Sequence, residues 1–148
     1  LDVGSSIFYA KDFYKKRKHS FAYMPSLGFL NSEGTENRYI LGLGVQYRFE
    51  PTRRSNIRVN ISGNYILTHY LYDRHEYNAQ SELVKQKNTK SNFGPSFGLH
   101  YSYDIFRIKQ TSFALSLGYK RIKLEDGNYT RLTEGFSSSI SLGIICKF

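Results

Sequence analysis

The stretch "GFSSSISLGIICKF", residues 135–148, decides how the rest of the chain is read. Counting back by twos from its last letter gives Phe148, Cys146, Ile144, Leu142, Ile140, Ser138 and Phe136. The residues between them are Lys147, Ile145, Gly143, Ser141, Ser139 and Ser137. Successive side chains of a β-strand point to opposite faces. The stretch therefore predicts a strand with an apolar face that has an aromatic at each end, backed by a face built mainly of Gly and Ser.

The same pattern recurs upstream. "RYILGLGVQYRF" (38–49) sets Tyr39, Leu41, Leu43, Val45, Tyr47 and Phe49 against Ile40, Gly42, Gly44, Gln46 and Arg48. "FGPSFGLHYSYDI" (93–105) sets Phe93, Pro95, Phe97, Leu99, Tyr101, Tyr103 and Ile105 against Gly94, Ser96, Gly98, His100, Ser102 and Asp104. "FALSLGY" (113–119) sets Phe113, Leu115, Leu117 and Tyr119 against Ala114, Ser116 and Gly118. Three earlier segments, "LDVGSSIFY", "FAYMPSLGF" and "IRVNISGNYILTHYL", alternate less sharply. Helical periodicity is absent. Seven strands are expected, near 1–10, 19–31, 38–50, 56–74, 91–106, 111–123 and 135–148. The connections carry turn chemistry: "KDFYKKRKH", "NSEGTEN", "EPTRRSN", the long 75–90 segment, "RIKQ" and "KLEDGNYTRLTE".

A chain of 148 residues fits a single domain, here spanning 1–148. It has 13 Tyr and 11 Phe but no Trp, and Lys plus Arg exceed Asp plus Glu by 21 to 12. The single cysteine, Cys146, excludes an internal disulfide framework and a cysteine-rich zinc site. No run approaches the ~18 apolar residues of a membrane helix. The positive charge favours anionic neighbours. No nucleic-acid recognition motif accompanies it, so nucleic acid is not expected as a partner.

Alternation alone allows two environments. In a soluble sandwich or barrel the apolar face packs inward and the other meets water. Gly and Ser weaken a water-exposed strand. They suit the crowded interior of a narrow barrel whose apolar face meets lipid. A strand tilted by about 40° advances about 2.5 Å per residue along the barrel axis. Phe93 to Tyr103 would then span roughly 25 Å, the height of the apolar band of a membrane barrel. The expected fold is all-β, an antiparallel up-and-down transmembrane β-barrel of about eight strands. Its lipid-facing positions include Leu43, Phe97, Leu99, Leu115, Leu117, Ile140, Leu142 and Ile144. Arg48, Arg58, Asn60, Asn64, His100, Asp104, Lys120 and Lys147 would point inward as a polar network.

The terminal residues Ile140, Leu142, Ile144, Cys146 and Phe148 resemble the closing strand of small Gram-negative outer-membrane β-barrels, the eight-stranded OmpA/OmpX-like class. "GPSFGLHYSYD" and "SFALSLGYKR" also look like the outer-membrane barrel domains of Bacteroidota. The resemblance implies that Phe136, Ile140, Leu142, Ile144 and Phe148 form a signal read by the barrel-assembly machinery. It also implies an outer-membrane location with a periplasmic C-terminus. On that orientation the long 75–90 segment lies outside, and strand 1–10 runs inward. An outward strand upstream of Leu1 is then expected to complete an even count. A poor strand hidden within 76–90 is the other way to complete it.

Chemistry-bearing motifs are few. "KKRK", Lys15, Lys16, Arg17 and Lys18, is the strongest charge run and a candidate patch for anions such as lipid or lipopolysaccharide phosphates. "HYSYD" puts His100, Ser102 and Asp104 on one face about 7 Å apart. A His and a Ser two apart resemble the pair of lipid A deacylase barrels. Here, however, they face the interior, lie far from the last strand and precede Tyr103. No catalytic residue, metal ligand set or cofactor is assigned. The expected role is a non-enzymatic anchor, scaffold or accessory subunit of an envelope complex, touching outer-membrane lipid, lipopolysaccharide and other envelope proteins. The alternatives are a lipid A-modifying enzyme and a soluble β-barrel holding an apolar ligand.

Overall fold

Residues that alternate large apolar with small polar side chains cannot bury both faces in one sheet. The fold sends the two sets to opposite sides. The computed structural model describes residues 2–32, 35–73, 75–77, 82–85, 87–108, 111–123 and 136–147. All its regular elements are strands: β1 (Asp2–Phe8), β2 (Lys11–Lys16), β3 (His19–Ser32), β4 (Glu36–Phe49), β5 (Ser55–Tyr70), β6 (His75–Tyr77), β7 (Leu83–Lys85), β8 (Thr89–Ile108), β9 (Thr111–Lys123) and β10 (Phe136–Lys147). The main sheet is an antiparallel meander in the order β1-β3-β4-β5-β8-β9-β10, with β2 also on β3, and it curls into a half-barrel.

β1 and β2 act as one interrupted stave. Both pair with β3 in one register, Phe8 with Ser26 and Lys11 with Tyr23. The break falls at Tyr9 and Ala10. Tyr9 donates its N–H to the carbonyl of Pro25 at 3.1 Å, and Pro25 has no N–H to return. A register shift between Asp12 and Tyr14 then kinks β2. Most of "KDFYKKRKH", expected as a connection, is therefore strand. The turn shrinks to Arg17 and Lys18, with Arg17 at φ 52°. Aromatic pairing explains the extension: the Phe13 ring lies 4.4 Å from that of Tyr23, and Tyr14 lies 6.1 Å from Phe21.

Among the described residues the 76–90 region adds no stave of its own, its last two residues opening β8. β6 and β7 form a hairpin of their own, His75 opposite Lys85, with Asp73 and Lys85 ion-paired at 2.8 Å. β5 ends at Tyr70 rather than running to 74. Within the concave face Ile40, Ile66 and Ile122 form a small apolar cluster, with Leu30 against it.

Candidate functional site: a basic row and a basic rim

Burial in this fold is inverted. On the concave face Asn64 and Ser102 are 0% exposed, and Gln46, Asn56, Arg58, Asn60, Ser62, Ser96 and Ser116 are buried. On the convex face Leu43 is 68% exposed and Leu142 74%, and Phe97, Leu99, Leu115, Leu117, Ile140 and Ile144 are exposed with them. Several aromatic pairs of the convex face stand toward its two ends. Phe21 and Tyr47 (ring centroids 5.2 Å apart), His19 and Phe49 (5.1 Å), and Phe106 and Phe113 (4.8 Å) stand near the short turns. Phe29 and Tyr39 (5.4 Å) stand near the opposite rim.

Small residues let the concave face close on itself. Ser62 and Ser96 hydroxyls bond at 2.7 Å, and the Asn64 amide donates to Ser96 Oγ and the Gly94 carbonyl at 3.0 Å each. The His100 ring lies over Gly118, where a Cβ would collide with its Nδ1 and Cε1, and close to Gly98. Glycine is the residue that permits this approach.

Cross-strand pairing then lines up charge. Arg48 pairs with Arg58, and Arg58 with His100, so three basic side chains sit in adjacent registers. Like groups in directly opposed positions repel. Arg48 is compensated by Asp12 at 2.6 Å and Glu50 at 3.3 Å. Arg58 instead donates Nη2 to Ser116 Oγ at 2.7 Å, and its guanidinium lies 5.6 Å from the ring centroid of Phe8. Arg58 Nε, Gln46 Oε1, Asn60 Oδ1 and Asn56 Nδ2 are buried without a partner among the described residues. Lys120 lies one register along, opposite Gly98. Asp104 is half-buried near the turn end of β8.

The remaining sequence candidates separate. Ser102 donates its proton to Asn56 Oδ1 at 2.7 Å, which commits the hydroxyl to a partner other than His100. Lys15 and Lys16 end β2, Arg17 and Lys18 make the turn, and Lys18 Nζ donates to the Pro51 carbonyl at 3.0 Å. That contact joins "KKRK" to the β4–β5 turn, where Arg53 and Arg54 share a depression with Arg107. The sequence reading missed this wider basic rim because its charges come from separate turns. It also missed the contact of the inward Phe8 with Arg58 and the buried ion pair of Glu36 and Arg38. The described strand β10 runs from Phe136 to Lys147, and Phe148 lies outside the described residues. No group of three or more potential metal-ligating side chains occurs among the described residues.

No family model, curated protein or solved structure matches the chain.

Proposed function

We propose that the chain is a non-enzymatic outer-membrane β-barrel protein that serves as anchor or scaffold in the cell envelope. The observation that carries this reading is the inversion of burial: Asn64 is 0% exposed while Leu43 is 68% exposed. A monomeric soluble protein rarely shows an apolar surface of this extent, whereas lipid contact requires one. Aromatic residues near both ends of the convex face suit the two membrane interfaces. The buried side chains of the concave face, among the described residues, suit the side-chain-filled interior of a barrel of about eight staves. The basic rim formed by residues 15–18, 53, 54 and 107 would lie at the periplasmic side and meet phosphate groups or an acidic envelope partner.

The test is fractionation of cells expressing the protein, together with gel mobility before and after boiling. Outer-membrane recovery with heat-modifiable mobility supports the proposal. Recovery in the soluble fraction without detergent, with mobility unchanged by heating, overturns it.

A further inference from the structure

Among the described residues, Arg58 and Lys120 are cations of the concave face without an ion-pair partner. Arg58 is 4% exposed, and its Nε meets no acceptor there. Lys120 is half-buried on β9. The acids near them in register serve elsewhere: Asp12 and Glu50 hold Arg48. Asp104 stands four residues along β8 from His100, which puts it roughly 13 Å away. Ser116 at 2.7 Å and the Phe8 ring at 5.6 Å hold the Arg58 guanidinium in place, but neither carries a charge to balance it. A buried cation needs that balance.

One side chain joins the two cations. His100 is opposite Arg58, and its ring lies close to Gly98 and Gly118, of which Gly98 is opposite Lys120. Neither glycine brings a side chain of its own to the space around the imidazole. Arg58 is also flanked by polar atoms of both kinds that lack a partner among the described residues. Asn56, 1% exposed and two residues before it on the same face of β5, has a free Nδ2 donor. Asn60, two residues after it, has a free Oδ1 acceptor, and Gln46, opposite Asn60 on β4, a free Oε1.

We infer that this cluster is a binding site for a phosphoryl group. Arg58 and Lys120 supply the charge, Asn56 a further donor, and Asn60 and Gln46 acceptors for the O–H of hydrogen phosphate, with His100 between the two cations. The mixture of groups selects the ligand. Water can meet Arg58 Nε but leaves the charge unbalanced. Chloride balances one cation and leaves the amide oxygens unmet. A carboxylate has neither a second charge nor a proton to give. Hydrogen phosphate has both, and its oxygens suit the fork of a guanidinium. The site is built from the concave face alone, so the inference stands whether or not the convex face meets lipid.

The test is an NMR titration of the 148-residue chain, labelled at histidine, in non-ionic detergent. Sodium phosphate is added at constant neutral pH and constant ionic strength. The imidazole signal of His100, assigned by its loss in His100→Gln, should shift saturably, and that of His69 should stay in place. Sulfate, which has no proton to donate, should bind several-fold more weakly, and chloride should give no saturable shift. Arg58→Met should abolish the shift of His100. Should Arg58→Met fail to fold, Lys120→Met, at a half-buried position, should still weaken binding by about ten-fold, the scale of one charge-assisted bond. Repeating the titration with glycerol phosphate identifies the source. A shift with both ligands assigns the phosphoryl group of an ester, and a shift with inorganic phosphate alone assigns the free ion. An unmoved His100 overturns the inference, as do equal shifts with phosphate, sulfate and chloride. So does a shift confined to His19, which adjoins Lys18 and reports phosphate at the basic rim, and so does affinity unchanged in a folded Arg58→Met or Lys120→Met protein.

Discussion

Arg58 of β5 donates to Ser116 of β9 at 2.7 Å, reaching over β8 to do so. That bond spans the concave face and measures the curl of the sheet. A hydrogen bond to a charged group contributes about 1.5–3 kcal/mol. Ser116→Ala should lower the unfolding free energy in detergent by that amount. The loss should nearly vanish in an Arg58→Met background, where the donor is already gone. Equal losses in both backgrounds would mean that Ser116 acts by packing alone.

His100 and Gly118 are coupled by shape. A Cβ at 118 would collide with the imidazole, so Gly118→Ala should cost about 1–3 kcal/mol by overpacking. His100→Ala removes the larger obstacle and leaves only the rotatable Ser141 hydroxyl near the added Cβ, so the double variant should recover most of the Gly118→Ala loss. Urea unfolding of the two single variants and the double variant gives the coupling directly.

Alternation in the sequence made the seven long strands and their two faces legible, because the period of two survives wherever one face holds Gly and Ser. It failed where both parities carry large side chains. Ile7, Phe8 and Tyr9 offer no contrast in polarity, so only the parity that sets Ile7 and Tyr9 outward turns Phe8 inward, and its contact with Arg58 was not legible. Phe13, Tyr14 and the register shift beside them hide β2 in the same way. The break opposite Pro25 depends on which neighbour a missing N–H would have faced, and sequence alone does not specify that. The basic rim depends on turns brought together by the meander, as Lys18 and Pro51 show.

The β6–β7 hairpin should respond to acid. The hydrogen bond from Lys85, and then its charge, hold the Asp73 carboxyl below the ordinary value of 3.8. A depressed carboxyl contributes stability that is present above its unfolded value and is lost as pH falls through its folded one. Amide-exchange protection of residues 75–77 and 83–85, after correction for intrinsic exchange, should stay constant from neutral pH to about 5. It should fall only below the ordinary Asp range. Asp73→Asn should lower protection at neutral pH and remove the acid dependence.

Phe148 should matter more for assembly than for the finished fold. Full burial of a Phe contributes only about 1.5–3 kcal/mol, so the loss of one aromatic side chain leaves most of the folding free energy in place. Deleting Phe148 should sharply lower membrane-fraction abundance in cells, while the same variant refolds in detergent with near-normal yield. Normal abundance in cells would remove the assembly role.

The most direct measurement compares the two faces of the sheet in lipid. Single cysteines at 43, 99 and 117 on the convex face, and at 96 and 116 on the concave face, would each carry a small fluorophore in a Cys146→Ser background. The labelled proteins would be reconstituted into vesicles containing brominated lipid. Labels at 43, 99 and 117 should be strongly quenched by the lipid and shielded from aqueous iodide, whereas labels at 96 and 116 should show little lipid quenching. Ready iodide quenching at 43, 99 and 117, with no effect of brominated lipid, would contradict the outer-membrane barrel.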